Sequence, residues 1–124
     1  MAYHIKQMSP QLQVTNLDRS IQFYTEVLGF EVDFLYEDFY AGIVKDGYSI
    51  HLKITEHPVE MKPHDDDAPL EILFTVEGID SIYNEFSARA EQFVQPLRQM
   101  PYGKEFYLAD PDRNVISFVE PTND

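Results

Sequence analysis

Glu105-Phe106-Tyr107-Leu108-Ala109-Asp110-Pro111-Asp112-Arg113-Asn114-Val115-Ile116-Ser117-Phe118-Val119-Glu120 is the stretch that decides the fold. Phe106 and Leu108, then Ile116 and Phe118, alternate with more polar positions, the period of two of strands packed on one face. Between the two runs, Asp110-Pro111-Asp112-Arg113-Asn114 offers a proline with φ already fixed and Asp and Asn side chains able to bond their own backbone. The spacing predicts a hairpin.

The same design occurs earlier. Ala41, Ile43 and Val44 run into the turn Lys45-Asp46-Gly47, after which Tyr48, Ile50, Leu52 and Ile54 alternate with Ser49, His51 and Lys53. Each hairpin follows an alternating strand and a helical stripe, so the chain reads as an internal repeat. Laying Val14 on Val76 gives an offset of 62 residues, and laying His51 on Ser117 gives 66, a difference that one small loop insertion explains.

Taken in order, Ser9 to Thr15 is an expected strand with Leu12 and Val14 on one face. Asn16 or Asp18 caps a helix carrying Leu17, Ile21, Tyr24 and Leu28 until Gly29 stops it. Phe30 to Tyr36 is the next strand, and the Tyr40 to Ile54 hairpin completes the first unit. Positions 56–68, with two prolines and a charge run, read as a linker. His64 with Asp65, Asp66 and Asp67 reads there as a solvated loop, since consecutive loop residues point in different directions. Leu70 to Val76, a helix carrying Ile79, Ile82, Tyr83 and Phe86 and ending near Ala90, the weakly patterned Phe93 to Arg98, the turn Pro101-Tyr102-Gly103 and the last hairpin form the second unit. The expected boundaries are 8–55 for one repeat and 69–121 for the other, within one 1–124 domain.

Composition narrows the function. Of 124 residues, 22 are acidic and 9 basic, a net charge of −13. Nucleic acid is therefore an unfavourable partner, because phosphate neutralisation needs clustered Lys and Arg. A cationic ligand is favoured, although such a charge also serves solubility alone. No apolar run reaches the length of a membrane span, and positions 1–9 lack an apolar signal core, so the expected setting is cytoplasmic. The absence of cysteine excludes disulfides, thiolate metal sites and a thiol nucleophile.

Val14-Thr15-Asn16-Leu17-Asp18, Phe23-Tyr24 and Leu28-Gly29-Phe30, together with Tyr102-Gly103 and Asp110-Pro111-Asp112-Arg113-Asn114-Val115-Ile116, resemble the opening and closing signatures of the vicinal oxygen chelate superfamily. That group includes glyoxalase I, extradiol dioxygenases and bleomycin resistance proteins. The resemblance spans nearly the whole chain and implies an α+β fold. Two βαβββ repeats would form mixed sheets curled around a cavity, usually within a homodimer. Leu12, Val14, Ile50, Leu52, Ile72, Phe74, Ile116 and Phe118 would then pack on the helices. Ser9, Gln11, Gln13, Ser49, His51, Lys53, Glu71, Leu73, Thr75, Val115, Ser117 and Val119 would face the cavity.

Metal-dependent members of the superfamily take one ligand from each of strands 1, 4, 5 and 8, and the matching positions are Ser9, His51, Glu71 and Ser117. Serine hydroxyls are poor ligands for the divalent ions concerned, so only His51 and Glu71 remain, with Gln11 two residues along as a possible third. The expectation is no metal cofactor, with His51 and Glu71 forming a polar couple. The resemblance then implies a binding protein of the bleomycin-resistance type, associated with antibiotic resistance, that holds a small aromatic or cationic molecule at a dimer cleft. Phe34, Tyr36, Tyr40, Tyr102 and Tyr107 are candidate stacking rings among 8 Tyr and 9 Phe, with Glu71 and Glu105 as carboxylate partners. Strand aromatics are also common in cores. The alternatives are a metal-dependent lyase or dioxygenase, a metal-free enzyme with His51 as general base oriented by Glu71, and a protein-interaction module.

Overall fold

The computed structural model describes residues 2–55, 70–89 and 91–122. The expected linker at 56–68, with His64 and Asp65 to Asp67, lies outside the described residues. The chain divides into two units, Met1–Val59 and Glu60–Asp124.

In the first unit β1 (Gln11–Val14) leads through a helical segment to β2 (Glu31–Tyr36), β3 (Tyr40–Lys45) and β4 (Tyr48–Ile54). These strands form one sheet in the order β1-β4-β3-β2, with β1 and β4 parallel and the other pairs antiparallel. The second unit repeats the plan with β5 (Ile72–Thr75), α2 (Ile79–Ala88), β6 (Phe93–Met100), β7 (Gly103–Ala109) and β8 (Val115–Pro121), in the order β5-β8-β7-β6. The fold is α+β, two βαβββ repeats each carrying a four-stranded mixed sheet.

The alternation in the sequence becomes burial. Leu12, Val14, Ile50 and Leu52 are buried on the helix side of the first sheet with Ala41, Ile43, Leu17 and Tyr24. The deciding hairpin pairs Phe106 with Phe118 and Leu108 with Ile116. The Phe106 and Phe118 rings stack, 4.8 Å between centroids and 6° apart in plane, and Phe86 from α2 meets both edge-on. Asp110, buried in the turn, accepts from the backbone N–H groups of Asp112 and Asn114 at 2.9 and 2.8 Å and from Asn114 Nδ2 at 2.9 Å.

The first helical segment is not one α-helix. Asn16 caps α1 (Leu17–Gln22), its Oδ1 accepting from Arg19 N at 3.0 Å, and Phe23–Val27 then widens into a π-helical turn. Thr25 Oγ1 donates to the Ile21 carbonyl at 2.8 Å, the kind of side-chain back-bond that bends a helix. At the start of α2, Glu120 supplies the cap from the end of β8, its carboxylate accepting from Gly78 N and Ile79 N at 3.2 and 3.1 Å. Among the described residues no helix is long and apolar enough to cross a membrane.

Candidate functional site

In a pleated sheet, residues opposite one another on adjacent strands share a face. Two rows of such residues cross the first sheet on the side away from its helix. One runs Gln11, His51, Gly42, Phe34 and the other Gln13, Lys53, Tyr40, Tyr36. The second sheet carries the equivalent rows, Leu73, Ser117, Tyr107, Gln95 and Thr75, Val119, Glu105, Arg98. The repeat offsets are visible here, since Gln11 faces His51 where Leu73 faces Ser117.

The first face is aromatic at its centre. Tyr40 Oη lies 2.8 Å from His51 Nδ1, and Gln11 Nε2 donates to Tyr40 Oη at 3.0 Å. Phe34 meets the His51 ring edge-on at 5.3 Å and lies nearly parallel to Tyr40, 6.1 Å between centroids. Tyr36 stands 62% exposed beyond them. Ser9 sits just before β1, where its hydroxyl bonds that of Ser49 and Gln7 Nε2 donates to both at 2.7 Å. The register thus puts Gln11, not Ser9, opposite His51.

The second face is ionic. Glu105 is only 3% exposed and its carboxylate is fully engaged. Arg98 donates from Nε and Nη2 to Oε2 at 2.8 and 2.6 Å, Tyr107 donates to the same oxygen at 3.1 Å, and Tyr102 donates to Oε1. Burial alone would lift the Glu105 carboxyl, but the bonds from Tyr102, Arg98 and Tyr107 outweigh it and hold the group below its ordinary range. Hydrogen bonding to Glu105 pushes the Tyr102 phenol up to about 12. Burial, then the bond to Glu105, raises Tyr107. The half-exposed Arg98 also bonds Gln95 Oε1 at 3.2 Å and lies 5.7 Å from the Tyr107 ring centre.

The structure therefore brings together Gln11, Phe34, Tyr36, Tyr40 and His51 in one unit and Tyr102, Glu105 and Tyr107 in the other. Glu71 enters β5 with its backbone N–H on the Val115 carbonyl at 2.8 Å, and Ser117 is buried in β8. Arg98 and Gln95 escape sequence reasoning because β6 carries Pro96 and two register shifts, which erase its alternation. The only signal was an arginine in a weakly patterned strand one strand before a carboxylate.

The residues at the metal positions do not fit a catalytic divalent ion. They offer one imidazole, one carboxylate and two hydroxyls, and such a site needs three or four good donors. Among the described residues, no three His, Asp or Glu side chains are grouped to hold a metal.

Solved structures share the fold. The bleomycin-binding protein from Streptomyces verticillus, determined with copper(II)-bleomycin, superimposes with a TM-score of 0.71 at 24% identity over 97% of this chain and 99% of its own. TnmS3, an antibiotic binding protein from Streptomyces sp. CB03234, gives 0.68 at 18% over 96% and 100%. A lactoylglutathione lyase from Agrobacterium tumefaciens gives 0.72 at 18% over 91% of each chain. No curated protein matches the chain by sequence. The family model for the Glyoxalase/Bleomycin resistance protein/Dioxygenase superfamily matches residues 4–118. With its repeated βαβββ units and that match across nearly its whole length, the chain belongs to the glyoxalase/bleomycin resistance protein/dioxygenase superfamily.

Proposed function

We propose that the protein binds a small aromatic or cationic compound reversibly, without metal and without transforming it. The observation that carries this reading is the Phe34, Tyr40 and His51 cluster on the face of the first sheet away from its helix, with Tyr36 exposed beside it. Aromatic faces stack on planar ligands and attract cations, and the net charge of −13 favours a cation over an anion. The bleomycin-binding and antibiotic-binding proteins of the same fold support the binding of a small molecule. A lyase or dioxygenase built on His51 and Glu71 has less support, because the other two ligand positions are serines.

The protein acts as a homodimer in this reading. Val32 and Leu35 are exposed on the edge strand β2, apolar surface that a second copy would cover. Light scattering should give twice the 14.5 kDa chain mass. Function is tested by calorimetric titration of bleomycin-type, phenolic and heteroaromatic compounds before and after chelator treatment. Saturable binding that survives the chelator is expected, and the absence of any saturable signal would overturn the reading.

A further inference from the structure

The polar chain Gln11–Tyr40–His51 contains one choice of proton. Tyr40 Oη takes a hydrogen bond from Gln11 Nε2 at 3.0 Å and lies 2.8 Å from His51 Nδ1. A phenol has one proton to give. If His51 donated from Nδ1, the Tyr40 proton would have no acceptor among the described residues, since Gln11 and His51 are its hydrogen-bond partners there. If Tyr40 donates to Nδ1, both contacts of the chain join a donor to an acceptor, and the proton of the neutral ring must sit on Nε2. His51 Nε2 makes no hydrogen bond to any described residue.

We propose that Tyr40 fixes His51 in its Nε2–H tautomer, and that the compound bound on this face presents an acceptor oxygen or nitrogen to that proton. This rests on the binding reading above and narrows it, from an aromatic or cationic compound to a planar aromatic with a carbonyl or similar acceptor at its edge. Phe34 meets the His51 ring edge-on and Tyr36, opposite Tyr40 in the register, adds exposed ring surface to the same face, so the plane and the acceptor are recognised together. The same tautomer disfavours a metal. A metal-ligating imidazole generally donates its other ring N–H to an acceptor, whereas here Nδ1 is the acceptor and Nε2 holds the proton.

The first test needs no ligand. In histidine labelled with nitrogen-15, long-range proton–nitrogen correlation at alkaline pH reports which ring nitrogen carries the proton, with His51→Phe assigning the signal. Nε2–H is expected, with a mixture of tautomers in Tyr40→Phe. Nδ1–H in the wild-type protein would overturn the proposal, because Gln11 would then have to accept from Tyr40.

The second test compares coumarin, a planar bicycle with a carbonyl, with naphthalene, a bicycle of similar size and no acceptor. His51→Phe keeps a ring beside Phe34 and removes the donor. It should weaken coumarin roughly three- to tenfold more than it weakens naphthalene, the worth of one neutral hydrogen bond. Equal effects on both compounds would overturn the ligand assignment. If neither binds the wild-type protein while His51 carries Nε2–H, the binding reading and the ligand assignment fall and the tautomer stands. If coumarin binds a protein whose His51 carries Nδ1–H, the binding reading stands and the proposal falls.

Discussion

The ring of Phe34 lies where a side chain on Gly42 would have to go: a Cβ at position 42 would stand 2.1 Å from Phe34 Cε1 and 2.6 Å from Cδ1. Gly42 is the residue between His51 and Phe34 in the row across the first sheet. Its missing side chain lets the Phe34 ring lean over the sheet to meet His51.

Gly42→Ala should therefore dislodge Phe34 rather than unfold the sheet, because an aromatic ring can swing where backbone cannot. The expected cost in stability is roughly 1–3 kcal/mol. The ring-current shift that Phe34 imposes on His51 should vanish, and binding of aromatic compounds should weaken severalfold. Unchanged His51 shifts with unchanged affinity would show that the Phe34 ring has no part in the site.

The Glu105 cluster sets a pH window with two edges. The Glu105 carboxyl is held below its ordinary value in the folded chain, so its contribution is present above the unfolded carboxyl range of about 4.3 and is lost as pH falls through the lowered folded value. The Tyr102 phenol is raised to about 12. Its contribution is complete below the unfolded phenol value of about 10 and is lost as pH climbs through the folded one. Tyrosinate absorbance should accordingly show a late step near 12 that Tyr102→Phe removes. Glu105→Gln should bring that step back toward the ordinary phenol range, and a late step untouched by either substitution would refute the assignment.

Much of this is legible in the sequence. Period-two alternation in 105–120, with the turn between the two runs, predicts the hairpin in which the structure pairs Phe106 with Phe118 and Leu108 with Ile116. The offsets of 62 and 66 recover the equivalence of Gln11 with Leu73 and of His51 with Ser117. Alternation assigns a face, however, and not a neighbour. Ser9 and Gln11 share a face, and only the parallel pairing of β1 with β4 places Gln11 beside His51 and Ser9 beside Ser49. Leu17, Ile21, Tyr24 and Leu28 fit an α-helical stripe, so the wider turn at Phe23–Val27 left no trace in their spacing. β8 is buried from Val115 through Val119, so Val115 and Val119 are core residues as well as members of the face opposite the helix.

The Asp110 turn makes a separate claim about stability. Its Oδ1 accepts two backbone N–H groups and its Oδ2 accepts the Asn114 amide, in a position only 4% exposed. Asp110→Ala leaves those donors without this acceptor and should cost about 2 kcal/mol or more, at roughly 1–3 kcal/mol for each buried group left unmatched. Asp110→Asn keeps the backbone acceptor but turns an amide donor toward Asn114 Nδ2, so it should fall between wild type and alanine. Urea denaturation orders the three proteins, and equal midpoints would mean that Pro111 and the strands hold the turn unaided.

Gly103 and Gly47 test how backbone strain and steric overlap divide. Both have positive φ, +145° at Gly103 and +84° at Gly47. A Cβ on Gly47 would meet nothing within 4 Å, whereas one on Gly103 would stand 2.2 Å from the Glu120 carbonyl oxygen and 2.8 Å from Pro121 Cα. Those are backbone atoms of β8, held in register against β7 by the Gly103–Pro121 pair, and they cannot rotate away as a side chain would. Gly47→Ala should cost only the unfavourable dihedral, about 1–2 kcal/mol. Gly103→Ala should lose a comparable amount to its dihedral and roughly 1–3 kcal/mol more to overlap. It should also pull Glu120 off the first N–H groups of α2, where its carboxylate caps Gly78 and Ile79. Amide exchange in the first turn of α2 reads that second effect directly. Faster exchange at Ile79 in Gly103→Ala but not in Gly47→Ala is the expected result, and equal protection in both would show that the β7–β8 end and the α2 cap move independently.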